Sequence, residues 1–272
     1  MLFRRVVLSA LLVGALSGLL LSAVQRWQVI PIIDIAERFE QSRTPQAAES
    51  APGGAESRDH TTHDHGAQAH PAGGQAGHVH PAGAWGPAEG AERIGFTVLS
   101  NVLTAAGFAL VMLAAMAAAL GRDAATQRKA AIRLDVRNGL LWGLAGYAIF
   151  FVAPALGLPP EIPGAEAAPL ESRQVWWMLA VGCTATGLAG TVFCKSRWRW
   201  AALALLIVPH LIGAPQPDAG PFAGFPAEAV AEMGELARRF VWATAVANGI
   251  FWLVLGSASA WAVRRFVKEA LA

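Results

Sequence analysis

Charged residues are scarce in this chain. Aspartate, glutamate, lysine and arginine make up 15% of its 272 residues, whereas about 25% is usual for a soluble domain. Hydrophobic residues make up 54%. This composition argues against an ordinary soluble domain and favours a protein whose surroundings are largely apolar.

Cysteines and catalytic motifs are also lacking. Cys183 and Cys194 are the whole cysteine inventory, 11 residues apart. That separation is about 16 Å along a helix, too far for a disulfide, so we interpret both as small packing residues. No GxxxxGKS or GxxxxGKT phosphate loop, HExxH or GxSxG is present. The sequence therefore predicts no ATP hydrolysis and no other enzyme activity.

The apolar residues occur in long blocks separated by polar stretches. Blocks of about 20 residues match the ~30 Å hydrocarbon thickness of a bilayer. We therefore predict an all-α fold, a polytopic membrane helix bundle of about six transmembrane helices. The blocks cover roughly residues 6–33, 94–120, 139–157, 175–193, 198–213 and 240–263.

Two of these six blocks have an alternative interpretation. The first begins with two arginines and ends in small residues, as a cleaved signal peptide does. Its apolar run from Val6 to Val24 exceeds the usual ~7–15 residues of such a peptide, so we favour a retained helix. The fifth block is short. Five spans follow if the first helix is cleaved or the fifth does not cross.

The charges orient the chain. With the N-terminus inside, the inner segments carry 13 basic and three acidic residues, and the outer segments carry 8 basic and 16 acidic residues. Short basic loops stay cytoplasmic, so we predict an inner-membrane protein with both termini cytoplasmic. Three regions follow: 1–40, a first helix with an acidic outer end; 41–92, a flexible periplasmic loop; and 93–272, a five-helix bundle with basic cytoplasmic loops.

Histidine is concentrated in the predicted periplasmic loop. Six of the seven histidines fall within HTTHDHGAQAHPAGGQAGHVHPAG, residues 60–83. Tracts of this kind favour metal binding, and imidazole suits Zn, Cu, Ni and Co. We interpret the loop as a metal-gathering segment, with a solvated linker as the alternative. The predicted ligands are His60, His63, His65, His70, His78 and His80.

The seventh histidine lies inside an apolar block. His210 follows Pro209 in the stretch IVPHLIG. Ionisable residues within spans are functional candidates, and proline interrupts helical hydrogen bonding. A broken helix beside an imidazole is typical of a transporter site, so we predict a metal-handling role for His210. The alternative is a hydrogen-bonded histidine near the interface.

Further candidate ligands are carboxylates and amides. Asp34 and Glu37 are three residues apart and share a helix face, which Glu40 continues. This acidic cluster would attract divalent cations at an outer mouth, or is an ordinary solvated helix end. Asn101 and Asn248 lie within the second and sixth spans. They offer oxygen ligands on a transport path, or hydrogen bonds between helices.

Several stretches resemble the CbtA family, a predicted cobalt transporter subunit. They are QRWQVIPIIDIAERFE (25–40), WGLAGYAIFFVAPALGLPPEIPG (142–164), RQVWW (173–177), VPHLIGAPQP (208–217) and RFVWATAVANGIFWLVLGSASAWAVRR (239–265). The resemblance implies a bacterial inner-membrane protein that supplies Co²⁺ for cobalamin. It also implies a small single-span partner, CbtB. The positions that carry the family pattern are Glu37, Glu40, Glu161 and His210. The family is usually described with five spans, and the histidine loop lies outside its core pattern.

These observations lead to one hypothesis and two rivals. The hypothesis is a subunit for Co²⁺ uptake, in which the loop captures metal and passes it to a mouth of Glu37, Glu161 and His210. The rivals are a transporter of Ni²⁺ or Zn²⁺, and a metal-sensing or scaffold protein that moves nothing. Beyond the transported metal we expect no cofactor. Expected partners are membrane lipid and CbtB, not nucleic acid, and a homo-oligomer is left open.

Overall fold

The structure, a computed structural model, describes residues 2–49, 87–88, 90–119, 135–194 and 196–271. The described parts form helices and connecting loops, with no strand among them. The helices are α1 (Leu2–Gln28), α2 (Ile30–Glu49), α3 (Ala91–Ala119), α4 (Val136–Tyr147), α5 (Leu170–Phe193), α6 (Trp198–Ala204), α7 (Val208–Ile212) and α8 (Ala227–Leu271).

Prolines set two of the helix breaks. Pro31 cannot donate a backbone hydrogen bond, and the chain turns between α1 and α2 just before it. Pro154 acts in the same way beyond α4. There the helix widens into a π-helical turn, Ala148–Val152, in which the Ala153 N–H donates to the Ala148 carbonyl. A last helical turn, Ala153–Ala155, follows.

Glycines bring two antiparallel helix pairs into backbone contact. A Cβ atom on Gly14 of α1 would lie 2.4 Å from the Ala106 Cα atom of α3. A Cβ atom on Gly143 of α4 would lie 2.4 Å from the Trp252 carbonyl oxygen of α8. Both glycines belong to GxxxG patterns, which allow close helix approach in membranes. Here the patterns do mark helix interfaces.

The two pairs share one apolar core. Ala109 and Leu113 of α3 and Leu255 of α8 are almost completely buried within it. The outer face of α1 is different, because leucines such as Leu12 and Leu16 are more than half exposed. Apolar side chains that point away from the core are expected for helices that face lipid. We call α1, α3, α4 and α8 the bundle.

Five described helical segments are long and apolar enough to cross a bilayer: Arg4–Gln28, Ala91–Ala119, Arg137–Ala155, Leu170–Phe193 and Ala227–Arg265. The predicted membrane helix bundle is therefore confirmed. The predicted fifth block differs, because Trp198–Ile212 forms the two short helices α6 and α7 rather than one span. Its length of about 22 Å as a helix is below the ~30 Å hydrocarbon thickness.

The broken segment nevertheless runs along most of α5. Near one end, a Cβ atom on Gly190 of α5 would lie 2.7 Å from the Ala202 Cβ atom of α6. Near the other end, Trp176 of α5 contacts Pro209 of α7. The segment is therefore antiparallel to α5, and we call α5, α6 and α7 the broken hairpin.

A second apolar core lies beyond one end of the bundle. It is built from α2, the loops 156–169 and 213–226, and the first turns of α8. Ala36, Ile162 and Met233 are buried there, and the Glu166 N–H donates to the Pro221 carbonyl at 2.8 Å to join the two loops. We call this layer the cap.

Candidate functional site

The predicted carboxylates of the first block lie on α2, within the cap. Asp34 and Glu40 are exposed and Glu37 is half-buried. Glu37 forms a bidentate ion pair with Arg93 at the start of α3: Nη1 donates to Oε2 at 3.2 Å and Nη2 donates to Oε1. The pair ties α2 to α3. A cation that binds Glu37 therefore competes with a guanidinium for the same carboxylate.

Glu161 of the loop 156–169 has a similar partner. The Arg173 Nη2 atom of α5 lies 3.4 Å from the Glu161 Oε2 atom, and each side chain is 33% exposed. Ion pairs with this exposure contribute about 0–1 kcal/mol because water screens them. The Glu161 carboxylate is thus held by a weak bond that another cation can replace.

Glu161 and Arg173 sit at the rim of a cavity of about 550 Å³. Its apolar wall includes Phe150 and Phe151 of the π-helical turn and Trp177 of α5. Such turns occur frequently at functional sites because they leave backbone groups irregularly bonded. The cavity therefore brings one predicted ligand, Glu161, next to a backbone irregularity at the edge of the membrane-spanning helices.

His210 lies on α7, where a broken helix was predicted, and the break is confirmed. Its half-buried ring meets the Trp176 ring edge-on, with the centroids 5.9 Å apart. The Trp176 indole N–H donates to the Pro209 carbonyl at 3.2 Å, and the Gly213 N–H donates to the same oxygen at 3.1 Å. Trp176 thus holds in place the backbone segment that contains His210.

The predicted mouth would need several ligands close together. Within the described ranges, no three His, Cys, Asp or Glu side chains come together closely enough to hold a metal ion. A joint site of Glu37, Glu161 and His210 accordingly stays a prediction. The six histidines between residues 60 and 80 lie outside the described residues.

The two predicted amides form different bonds. The Asn101 Nδ2 atom of α3 donates to the Ser22 Oγ atom at 3.0 Å and the Gln25 Oε1 atom at 2.7 Å, both on α1. The Asn248 Nδ2 atom donates to the Thr244 carbonyl at 3.0 Å within α8. Asn101 therefore links helices, as one alternative predicted. The transport-path role of either residue stays a prediction.

A comparison with protein-family models matches residues 3–264 to the family described as "Probable cobalt transporter subunit (CbtA)". The chain belongs to the CbtA family. The resemblance drawn from the sequence is thereby confirmed over nearly the whole chain. Comparison with curated proteins and with solved structures gives no match. As a CbtA protein whose described residues include five long apolar helices, the chain is a multi-pass membrane protein and a probable cobalt transporter subunit.

The CbtA structure also reveals roles that the sequence did not suggest for three residues. Arg93 and Arg173 pair with the predicted carboxylates, and Trp176 supports His210. No local pattern marks these roles, because the partners lie on different elements. Arg173 and Trp176 carried one signal, because they belong to the stretch RQVWW (173–177) that resembles the CbtA family.

Proposed function

We propose that this CbtA protein is a bacterial inner-membrane subunit that carries Co²⁺ into the cell for cobalamin synthesis. The family match over residues 3–264 is the observation that carries the proposal, because the described side chains alone do not form a metal site. Energy for uptake comes from a gradient or from another subunit, since the sequence has no phosphate loop.

The proposed orientation places the cap in the periplasm. Ala10, near the start of α1, lies in one core with Ala262 and Val263, near the end of α8, so the N-terminus of α1 and the C-terminus of α8 lie at the same end of the bundle. Arg4, Arg5, Arg264 and Arg265 lie at that end. Lysine and arginine accumulate on the cytoplasmic side, which supports cytoplasmic termini and a periplasmic histidine loop.

The proposed route begins at the histidine loop and continues to Glu37, Glu161 and His210. Co²⁺ accepts mixed nitrogen and oxygen ligands. Asp34 and Glu40, exposed on the same helix as Glu37, attract the cation to the cap. Co²⁺ then replaces the guanidinium at Glu37 or Glu161. Asn101 and Asn248 supply polar groups for passage between helices.

CbtB is the proposed partner that completes the metal site. The missing three-ligand cluster in the described ranges supports this role, because a partner can supply the remaining ligands. The same observation favours the second candidate function, a scaffold that presents metal to a partner without moving it. A transporter of Ni²⁺ or Zn²⁺ is the remaining alternative, because ligand type alone does not select among these metals.

The deciding experiment measures radiolabelled Co²⁺ uptake in cells that lack their own cobalt importers. The chain is expressed with and without CbtB, as wild type, as His210→Ala and with residues 60–83 deleted. We expect His210→Ala to abolish uptake and the deletion to reduce it.

Leu211→Ala, the adjacent α7 position with an 80% exposed side chain, is the matched control. The importer proposal is refuted if cells that express the wild-type chain together with CbtB take up no Co²⁺ although the protein is inserted in the membrane. Competition of Ni²⁺ and Zn²⁺ with Co²⁺ uptake tests which metal the protein transports.

Substitutions in the two ion pairs can distinguish a metal-ligand role of the glutamate from a purely structural role. If Glu37 binds Co²⁺, Glu37→Gln lowers uptake about tenfold or more, whereas Arg93→Gln keeps or increases uptake because it frees the carboxylate. Equal losses from both substitutions would mean that the pair only fastens α2 to α3. The same two substitutions at Glu161 and Arg173 repeat the test at the weaker pair.

The proposed capture step depends on pH. Metal binding requires neutral imidazole, and free histidine has a pKa of about 6.5. We therefore expect Co²⁺ capture by the loop to weaken as the pH falls through that region. Uptake at limiting Co²⁺ should decline on acidification in the wild type and decline less after deletion of residues 60–83. A rise in wild-type uptake would contradict this step.

A further inference from the structure

One face of α5 lies against the interrupted segment between α6 and α7. Trp176, Ala180, Thr184 and Gly187 are buried, at spacings that place them on one side of a helix. Trp176 bonds to Pro209, and a Cβ atom on Gly187 would lie 2.8 Å from the Ala202 carbonyl oxygen. Thr184 is between these two contacts. It therefore lies opposite the interruption at residues 205–207.

Thr184 is the buried threonine of the described spans, and it shares an unpartnered hydroxyl with the buried Ser17 and Ser259 of the bundle. Its residue is 3% exposed and its Oγ1 atom has no hydrogen-bond partner. Thr191, two turns along the same helix, donates to the Gly187 carbonyl at 2.7 Å, and Thr244 bonds in the same way to Phe240. A buried hydroxyl that forgoes this local bond is costly unless a ligand or water satisfies it.

The interruption leaves two backbone oxygens without a backbone donor. The N–H groups of Leu205, Leu206 and Ile207 bond three residues back, and the His210 N–H bonds to the Ile207 carbonyl. Pro209 has no N–H to give. Among the described backbone groups, none donates to the carbonyl oxygens of Leu205 and Leu206. Irregular backbone at membrane depth is tolerated where it is buried in protein or lines a cavity.

We propose that Thr184 and the interrupted backbone at Leu205 and Leu206 form a binding site for sodium ion. Unwound backbone carbonyls of membrane helices coordinate sodium, and the Thr184 hydroxyl adds a further uncharged oxygen on the facing helix. Ca²⁺ and Mg²⁺ sites usually include carboxylates, and neither residues 172–193 nor residues 198–212 contain Asp or Glu. The site therefore differs in ligand chemistry from the cobalt route through Glu37, Glu161 and His210.

Sodium binding would supply a coupling ion for a chain without an ATP motif. That consequence rests on the proposed function, whereas the binding itself does not. Sodium bound at residues 205–207 would also order the backbone immediately before His210, so occupancy of the site and the position of the imidazole are linked.

The test is the thermal stability of the purified full-length chain in detergent, without cobalt, in sodium chloride or in choline chloride at equal ionic strength. Sodium about tenfold above its Kd should raise the Tm by about 4 °C. Thr184→Ser keeps the hydroxyl and should keep this shift, whereas the isosteric Thr184→Val should lose it. Thr191→Val, whose hydroxyl bonds within its own helix, is the matched control and should keep it.

Absence of a sodium-specific shift in the wild type, or a shift that Thr184→Val retains, would overturn the proposal. If Thr184→Val does not fold, sodium-23 NMR of the wild type decides. If the protein broadens the sodium-23 line and excess choline does not reverse the broadening, the result supports the site. If the line is not broadened at any sodium concentration, the site is refuted. Because no step involves cobalt, a negative result here is distinguishable from failure of the cobalt-uptake experiment.

Discussion

The bundle and the broken hairpin solve the problem of helix packing in different ways. In the bundle, Gly14 and Gly143 bring continuous helices into direct backbone contact. In the hairpin, the segment facing α5 is interrupted, and a tryptophan side chain bonds to its backbone. The buried and unpartnered Thr184 also lies there. Ser17 and Ser259 of the bundle are buried and unpartnered as well, so the difference lies in the backbone, which is continuous where the bundle helices touch and interrupted in the hairpin.

Breaking the bundle should have the largest effect. Gly143→Ala places a methyl group 2.4 Å from the Trp252 carbonyl oxygen, and backbone cannot move aside as a flexible side chain can. We expect a loss of about 3 kcal/mol or more in unfolding free energy, measured by denaturant titration in detergent. Gly107 of α3 has nothing within 4 Å, so Gly107→Ala should be neutral or stabilise by up to about 1 kcal/mol. Equal losses would mean that the close contact is not what holds the bundle.

Weakening the hairpin should have a smaller and more local effect. Trp176→Phe keeps most of the buried ring but removes the N–H that bonds to the Pro209 carbonyl, a loss of about 1 kcal/mol. Hydrogen exchange followed by mass spectrometry should show faster exchange over residues 198–213 and unchanged exchange in α4 and α8. Trp177→Phe, at the half-exposed neighbour, is the control. Faster exchange throughout the molecule would contradict the separation of hairpin from bundle.

Substitutions of the two asparagines should give the smallest difference in unfolding free energy. Asn101→Leu removes hydrogen bonds between α1 and α3, which are worth about 0.6 kcal/mol on average in membrane proteins. Asn248→Leu removes a bond within α8 and should cost less. Both differences are measurable as unfolding free energies in one detergent. A larger loss from Asn248→Leu would indicate a contact between helices at that position.

The sequence was most informative where local chemistry decides the structure. Block length predicted the spans, the GxxxG patterns marked helix interfaces, and Pro209 predicted the break before His210. The π-helical turn was not foreseen, because Pro154 lies at the end of an apolar run that reads as uninterrupted helix. The cap was missed for a different reason. Its buried residues, such as Ile162 and Met233, come from segments far apart in sequence, and no periodic pattern links them.

The candidate site was predictable in its residue types and not in its pairings. Glutamate and histidine near span ends are visible in the sequence, so Glu37, Glu161 and His210 could be named. Their partners Arg93, Arg173 and Trp176 depend on which helices become neighbours. A carboxylate predicted as a free ligand is in fact held by a guanidinium, which changes the chemistry that a metal ion meets there.

The 45-residue helix α8 belongs to both layers. It starts in the cap, passes through the bundle and ends at the opposite side, a length of about 67 Å. A rod of that length acts as a lever with its fulcrum at Gly139, Gly143 and Gly256, where α4 and α8 touch backbone to backbone. If α8 tilts as a rigid rod about that contact, a movement of its cap end is accompanied by an opposite movement of its basic end.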